Sequence, residues 1–569
     1  MTNYPATLLC DFYKISHRKL YPKETTMVYS TWTPRESRIP SIKEVVCFGV
    51  QGFIQEYLVE YFNQNFFSRS ESDIVSEYSR IITFTLGESS PDTSHIVALH
   101  RLGYLPLEIR CVPEGNLAPL RVPMLIIHNT LPEFFWLTNY IETLISCYLW
   151  QPMTSATLAL QYKKILNKYA METIGNTDCV KFQGHDFSFR GMSSLDSAAI
   201  SGAGHLLSFA GTDTIPAIVY LEKYYGANIE NELVGCSVPA SEHSIMCAYG
   251  QDEFSAYKRI ITEVHPYGIV SIVSDTWDLW GVLNNTIRGL KDVIMARNGK
   301  VVIRPDSGDP VDIICGTYTP YDFPRDMTFK DCQKWVMSGL VDKVSATTAH
   351  GECGESEVSG IFEFKGKHYN LTVSIDWNRY DKQYYYMDGE RIESCVEIIL
   401  TPEQKGVIQI LWEIFDGTIN SKGYKELDPH IGCIYGDAIT LERCTQINER
   451  LKAAGFASSN MVYGIGSFTY QYNTRDTFGF ALKSTYCEMD NKPKFIFKDP
   501  VTDKGKVKKS QKGCVIVTKN EDGVISYTDE HSLQESEKRI DNMLEMIFRN
   551  GSVYREAPLS EIRTRMGGI

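Results

Sequence analysis

Through the middle of the chain, short apolar runs break off into clusters of polar residues. Val270–Ser274 (VSIVS) leads into DTWD, and Val301–Arg304 (VVIR) leads into PDSGDP. Parallel strands that end in active-site loops have this texture. Helix-period stretches at Phe254–Glu263 and Trp280–Leu290 lie around and between them. Strand and helix therefore alternate, and an α/β barrel or a doubly wound sheet is expected. In either architecture, functional groups gather at the C-terminal ends of the strands.

The flanks read differently. Residues 1–150 and 476–569 mix helices with strand-like pieces such as Leu107–Val112, which predicts an α+β domain built from both ends of the chain around an α/β barrel at 151–475. Within that barrel, residues 312–405 turn to alternating aromatic and polar residues (GIFEFKGKHYNLTVSIDW, then YYYMDGERIES). This stretch predicts a β-rich insertion, with Asp388-Gly389 as a hairpin turn.

Composition narrows the possibilities. The 569 residues are 43% hydrophobic and 22% charged, as in ordinary globular proteins. A formal charge of −13 argues against non-specific binding to nucleic acid, so an anionic ligand would need a local basic pocket. The stretch MTNYPATLLCDFYKISH lacks a basic region followed by a long apolar run, and no later segment offers about 18 uninterrupted apolar residues; a cytoplasmic location and no membrane partner are expected. The 15 cysteines form no CxxC pair, which indicates neither a zinc site nor a disulfide framework.

The chemistry is carried by six clusters: GHDFSFRGMSS at 184–194, GTDT at 211–214, SVPASEHS at 237–244, VSIVSDTWD at 270–278, VVIRPDSGDP at 301–310 and IYGD at 434–437. They supply aspartates, arginines, hydroxyls, a histidine and Phe187. Carboxylates hold vicinal diols, guanidinium groups fork onto phosphates, and a phenyl face stacks on an electron-poor ring. A ribose phosphate joined to a planar heterocycle suits that set. No GxxxxGK[ST] loop is present, and Gly366-Lys367-His368 fails on spacing and on its last residue, so a P-loop nucleotide site is excluded.

In order and wording, DFYKISH, GHDFSFRGMSS, GTDT, SVPASEHS, VSDTWD, VIRPDSGDP, YGD, TRD and FKDPVTD closely resemble the nicotinamide phosphoribosyltransferase family. The resemblance spans nearly the whole chain except about 312–405. It implies a type II phosphoribosyltransferase fold, an irregular α/β barrel plus an α+β domain. It further implies homodimers with active sites at the subunit interface, Mg²⁺ as cofactor, ATP as co-substrate, and nicotinamide and phosphoribosyl pyrophosphate as substrates.

By matching motif, Phe187 and Tyr13 of the partner subunit would sandwich the pyridine ring, with Asp11 completing the pocket and Asp213 and Ser271 near the amide. Arg190 would meet the phosphate side. Arg304 would lie between ring and phosphates, while Asp306 and Asp437, the latter following Gly436, would hold ribose hydroxyls. Arg35, Arg475, Lys483, Lys498 and Lys506 match the family's phosphate and pyrophosphate contacts. His243 matches a histidine phosphorylated by ATP, with Glu242 and Asp275 expected to orient it. Where relatives carry a run of glycines against the phosphate, this chain reads Gly464-Ile465-Gly466-Ser467-Phe468, and Ala438 follows Asp437 as a smaller departure of the same kind. Two rival readings share the scaffold: a nicotinate-using enzyme, which a carboxylate at Asp213 disfavours, and a non-catalytic binding protein, which the retained charged residues disfavour.

Overall fold

The structure is a computed structural model that describes residues 4–324, 326–347, 353–380, 383–386, 392–436, 438–490, 492–505 and 507–568, together with residue 391. The chain divides into two compact units.

The first unit comprises Met1–Lys164, Val180–Ser237 and Gly464–Ile569. Its main sheet has seven strands in the order Lys492–Phe495, Ala481–Met489, Thr25–Thr33, Leu125–Asn129, Leu107–Cys111, Glu545–Arg549 and Ser552–Val553. Both ends of the chain thus build one sheet. Thr25–Thr33 sits near its centre, and Val28, Tyr29, Trp32 and Thr31 are fully buried along it. Its β-branched and aromatic residues suit a strand covered on both faces. Opposite Thr31 across the antiparallel pair lies Lys483. The same unit holds a short parallel pair, Gly184–Asp186 with Gly211–Thr212.

The second unit comprises Ile165–Cys179 and Val238–Tyr463. Parallel pairing joins Val270–Val273 to Val301–Arg304, then to Ile431–Tyr435, then to the strand starting at Met461. Between these strands run helices such as Glu253–Arg259, Pro310–Cys315, Pro402–Phe415 and Leu441–Ala453. The fold class is therefore mixed α/β: a parallel-stranded unit of the irregular α/β barrel type and an α+β unit. No described helix is long and apolar enough to cross a membrane.

The β-rich stretch forms its own small body. Helix Phe329–Thr347 packs on an antiparallel sheet of Cys353–Phe364, Lys367–Tyr380, Gln383–Tyr386 and Arg391–Ile398 around a core of Cys332, Val336, Leu340, Phe362, Leu371 and Val373. The first hairpin turns at Lys365-Gly366, both with positive φ (50° and 77°), the conformation of a type I′ turn. The Asp388-Gly389 turn falls outside the described residues.

The entry and exit of this body lie against each other. The Thr317 N–H donates to the Glu403 carbonyl at 2.9 Å and the Tyr318 N–H to the Gln404 carbonyl at 3.2 Å. Gly316 and Gly406 permit the approach: a Cβ on Gly406 would fall 2.1 Å from the Gly316 nitrogen. Replacing residues 318–402 by a short glycine linker should therefore leave a soluble protein with a single thermal transition. Aggregation of that variant, or a broad two-step melt, would contradict the independence of the body.

Candidate active site

In the first unit, two motifs interlock around Phe187. Asp186 is fully buried; one carboxylate oxygen accepts the Ser188 N–H at 2.9 Å and the other the Thr212 hydroxyl at 3.3 Å. Its carbonyl accepts the Asp213 N–H at 2.9 Å, and the Phe187 N–H donates to the Ile465 carbonyl at 3.0 Å. The loop carrying the ring is thereby fastened at successive residues, which removes the rotational freedom that a stacking surface would otherwise lose on binding.

Asp213 is half exposed, and its Oδ1 accepts the Ser237 hydroxyl at 2.6 Å and lies 2.8 Å from His185 Nε2. The His185 ring in turn lies 4.7 Å from that of Phe187. The carboxylate is thus oriented beside the phenyl ring. Sequence reasoning picked Phe187 and Asp213 but assigned no role to His185 or Ser237, although both stand in the same motifs. Arg190 is exposed on the turn Phe189–Gly191, and Gly191 lies so close to Ser467 that a Cβ would fall 2.0 Å from its Oγ.

Gly466 caps the short helix Ser467–Gln471, and its position is open, with no atom within 4 Å of an added Cβ. The bulk of Phe468 points to the surface, where its ring stacks on Tyr472 at 5.0 Å.

In the second unit, strand ends converge. Ser271 is tied through its N–H to the Pro239 carbonyl and through its carbonyl to the Ser241 N–H, both at 2.9 Å. Ser274 Oγ accepts the Arg304 N–H at 3.1 Å and the Tyr257 hydroxyl at 2.8 Å, and the Arg304 guanidinium donates to the Ser241 carbonyl. Asp275 Oδ2 receives the Asp306 N–H at 2.8 Å and the Ser307 hydroxyl at 2.6 Å. Buried polar atoms are nearly always hydrogen-bonded. Yet Ser271 Oγ, Asp275 Oδ1 and Arg304 Nε are buried with no partner among the described residues. Three such atoms in two matched motifs mark a place built to meet a polar ligand.

His243 opens the helix His243–Ala248 and is about half exposed. Its Nδ1 lies 3.1 Å from the Thr276 hydroxyl and its Nε2 3.7 Å from Asp306 Oδ2. The groups beside the imidazole are thus Thr276 and Asp306. Glu242, expected there, takes the Ser244 hydroxyl instead, and Asp275 spends its Oδ2 on the Asp306 loop. Behind that loop, burial together with Asp278 and Asp275 pushes the Glu253 carboxyl up to about 7. Gly436 follows the strand Ile431–Tyr435, and Ala438 adopts a left-handed φ of 52°. Asp437 lies outside the described residues.

Of the remaining matched residues, Tyr13 and Asp11 stand at an exposed N-terminal segment. Tyr13 is 58% exposed with His17 and Lys14 as ring neighbours, and Asp11 Oδ2 accepts the Thr143 hydroxyl at 2.8 Å. Arg35 donates to the Gly479 carbonyl at 2.7 Å, and Arg475 is half exposed. Lys483 lies 3.7 Å from Glu142; burial lowers its pKa against the pull of Glu142, and Arg35, Lys14 and Lys498 lower it further. Lys498 is exposed and its N–H donates to Ser510 Oγ at 2.9 Å. Lys506 lies outside the described residues.

Among the described residues, the one cluster spaced as metal ligands is Glu108, His128 and Glu537. Arg110 Nε lies 2.7 Å and Arg549 Nε 3.4 Å from the Glu108 carboxylate. These cations make it an ion network: burial would raise the Glu108 carboxyl, but His128 and Arg110 hold it at about 2.

Comparison with known proteins gives the family. Residues 182–544 match the nicotinate phosphoribosyltransferase (NAPRTase) family, and residues 6–109 match the nicotinamide phosphoribosyltransferase N-terminal domain. The chain belongs to the nicotinate phosphoribosyltransferase family. Within it, the chain is 42% identical over 568 residues to a nicotinamide phosphoribosyltransferase of Acinetobacter baylyi, covering 98% of this chain and 96% of that protein. A nicotinamide phosphoribosyltransferase of Mycoplasma pneumoniae is 32% identical, covering 88% and 94%. The crystal structure of nicotinate-nucleotide pyrophosphorylase from Pyrococcus furiosus aligns with a TM-score of 0.49 at 13% identity, covering 99% of this chain and 94% of that one.

Proposed function

We infer that this chain joins nicotinamide to phosphoribosyl pyrophosphate, giving nicotinamide mononucleotide and pyrophosphate in NAD salvage. The observation that carries the reading is the Asp213 carboxylate, oriented by Ser237 and His185 beside Phe187. A fixed acceptor suits the NH₂ of a carboxamide and repels the carboxylate of nicotinate.

In the reaction, the pyridine nitrogen forms a bond to the anomeric carbon as the bond from that carbon to pyrophosphate breaks, and the electron pair leaves on pyrophosphate. Placement and charge are the enzyme's contribution. Phe187 fixes the ring plane. Arg304, with its free Nε, ends the strand paired with the one that carries Ser271 and leads to Asp275. Asp306 is available to ribose hydroxyls.

Asp275 and Asp306 are hard oxygen donors of the kind Mg²⁺ accepts, and Asp275 Oδ1 has no other partner among the described residues. A Mg²⁺ carried in on pyrophosphate would neutralise the charge developing there. ATP would act through His243, whose half-exposed imidazole is flanked by Thr276 and Asp306. The working form is proposed to be a cytoplasmic homodimer.

His243 serves energy coupling, separate from glycosyl transfer. His243→Ala should retain ATP-independent mononucleotide synthesis while its ATPase activity disappears, both read on one preparation by product chromatography and phosphate release. Acid-labile phosphate on the variant would contradict the assignment, as would synthesis lost even without ATP. The nucleotide assay run on nicotinamide and nicotinate in parallel tests the reading as a whole.

A further inference from the structure

A cavity of about 280 Å³ in the first unit is walled by Arg35, Arg121, Lys483, Lys508 and Lys509, with Asp529 as its one carboxylate. Five cations crowd one cavity in a chain whose formal charge is −13. Arg35 and Lys483 match phosphate contacts of the family. Arg121, Lys508 and Lys509 belong to none of the motifs that carry the resemblance.

Arg121 is held in a conformation that costs energy. Its φ is 74°, the left-handed region that an L-residue other than glycine or asparagine rarely enters. Its N–H donates to the Pro34 carbonyl at 2.6 Å, and its carbonyl accepts from Gln511 Nε2 at 3.1 Å. Gln511 is buried, and its Oε1 accepts the Thr31 hydroxyl at 3.1 Å. Thr31 is the residue paired across the sheet with Lys483. The strained arginine is therefore braced to the strand pair that carries Lys483 on the cavity wall. Its guanidinium is exposed and makes no hydrogen bond or ion pair among the described residues. Glycine would satisfy this backbone without strain, so the turn alone does not call for arginine. Asp529 accepts the Lys512 N–H at 3.0 Å, Lys509 lies 3.9 Å from Asp499 and Lys483 lies 3.7 Å from Glu142, which leaves Arg35, Arg121 and Lys508 without an ion-pair partner among the described residues.

We propose that Arg121 is an anion-positioning residue of this cavity, gripping a phosphate chain together with Arg35 and Lys483. The inference rests on the phosphoribosyltransferase reading for the kind of anion, a pyrophosphate or longer polyphosphate. A guanidinium fork with no competing partner is suited to terminal phosphate oxygens.

Calorimetric titration of the full chain with inorganic pyrophosphate and with inorganic tripolyphosphate tests it, alongside Arg121→Gly and Arg121→Asn, which both tolerate the left-handed backbone. Wild type should bind both anions. Arg121→Gly should melt no lower than wild type yet bind tripolyphosphate at least about tenfold more weakly, the loss expected for one charge-assisted contact. Arg121→Asn should show the same loss, and it stands in if the glycine variant does not fold. Unchanged tripolyphosphate affinity in either variant would overturn the proposal, as would a wild type that binds neither anion. Mononucleotide synthesis by wild type is measured separately. Its absence beside Arg121-dependent anion binding would sink the enzymatic reading and spare the cavity; its presence beside Arg121-independent binding would sink the cavity alone.

Discussion

Arg304→Ala and Tyr13→Ala should each yield a folded but nearly inactive enzyme, and mixing the two should restore activity. The first loss follows from where Arg304 sits. Its backbone ends the strand Val301–Arg304, its N–H is held by Ser274, and its guanidinium is anchored on Ser241 with Nε left free. Removing one preorganised donor from a transition-state site costs about 2.7–4 kcal/mol, or roughly 10²–10³ in kcat. Tyr13 stands differently: it is exposed, with His17 and Lys14 for ring neighbours, and among the described residues no ring contact joins it to Phe187. An exposed aromatic outside its own chain's ring cluster suits a side chain supplied to a partner's pocket.

If the dimer shares its sites, refolding the two variants together gives heterodimers in which one pocket draws both wild-type residues and the other collects both defects. About a quarter of wild-type activity should then return after statistical mixing. No recovery, with heterodimers confirmed by differential tags, would mean that Tyr13 acts within its own chain.

Asp213→Ser should lower kcat/KM for nicotinamide by roughly 10- to 100-fold, the value of about 1.5–3 kcal/mol for a hydrogen bond to a charged group. It should also relax discrimination against nicotinate, because the like charge that repels the acid is gone. The Asp213 N–H bond to the Asp186 carbonyl and the Thr214 N–H bond to the Thr212 hydroxyl do not involve the carboxylate and would keep the loop in place, so the melting temperature should barely move. Equal losses for both substrates would point to a collapsed pocket in place of a lost acceptor.

Much of this was legible in the chain itself. The strands Val270–Val273 and Val301–Arg304 fall where the apolar runs lie, because strands covered on both faces leave a continuous apolar signature. The polar clusters after them are the residues found at the strand ends. The antiparallel texture of the β-rich body was legible as well, since alternation reports one covered face. Its first turn was not: Gly366-Lys367-His368 invited comparison only with a phosphate loop, whereas Lys365-Gly366 turns a hairpin.

The partners of the matched residues were harder to see. Asp213 is oriented by Ser237, which lies 24 residues away in sequence, and by His185, which lies 28 away. The imidazole of His243 meets Thr276 and Asp306, while Glu242, its neighbour in sequence, turns to Ser244. Adjacency along the chain suggested the wrong partner because successive residues at a helix start point in different directions. Arg121 gave no signal at all, since a left-handed arginine is specified by Gln511 and Thr31, distant in sequence.

A carboxylate fixed at Asp213 should make the enzyme choose the amide over the acid. Purified enzyme with phosphoribosyl pyrophosphate and Mg²⁺, offered nicotinamide and nicotinate at equal concentration, tests it directly by separation of the two mononucleotides. Nicotinamide mononucleotide should be the dominant product, with and without ATP. A preference for nicotinate would contradict it.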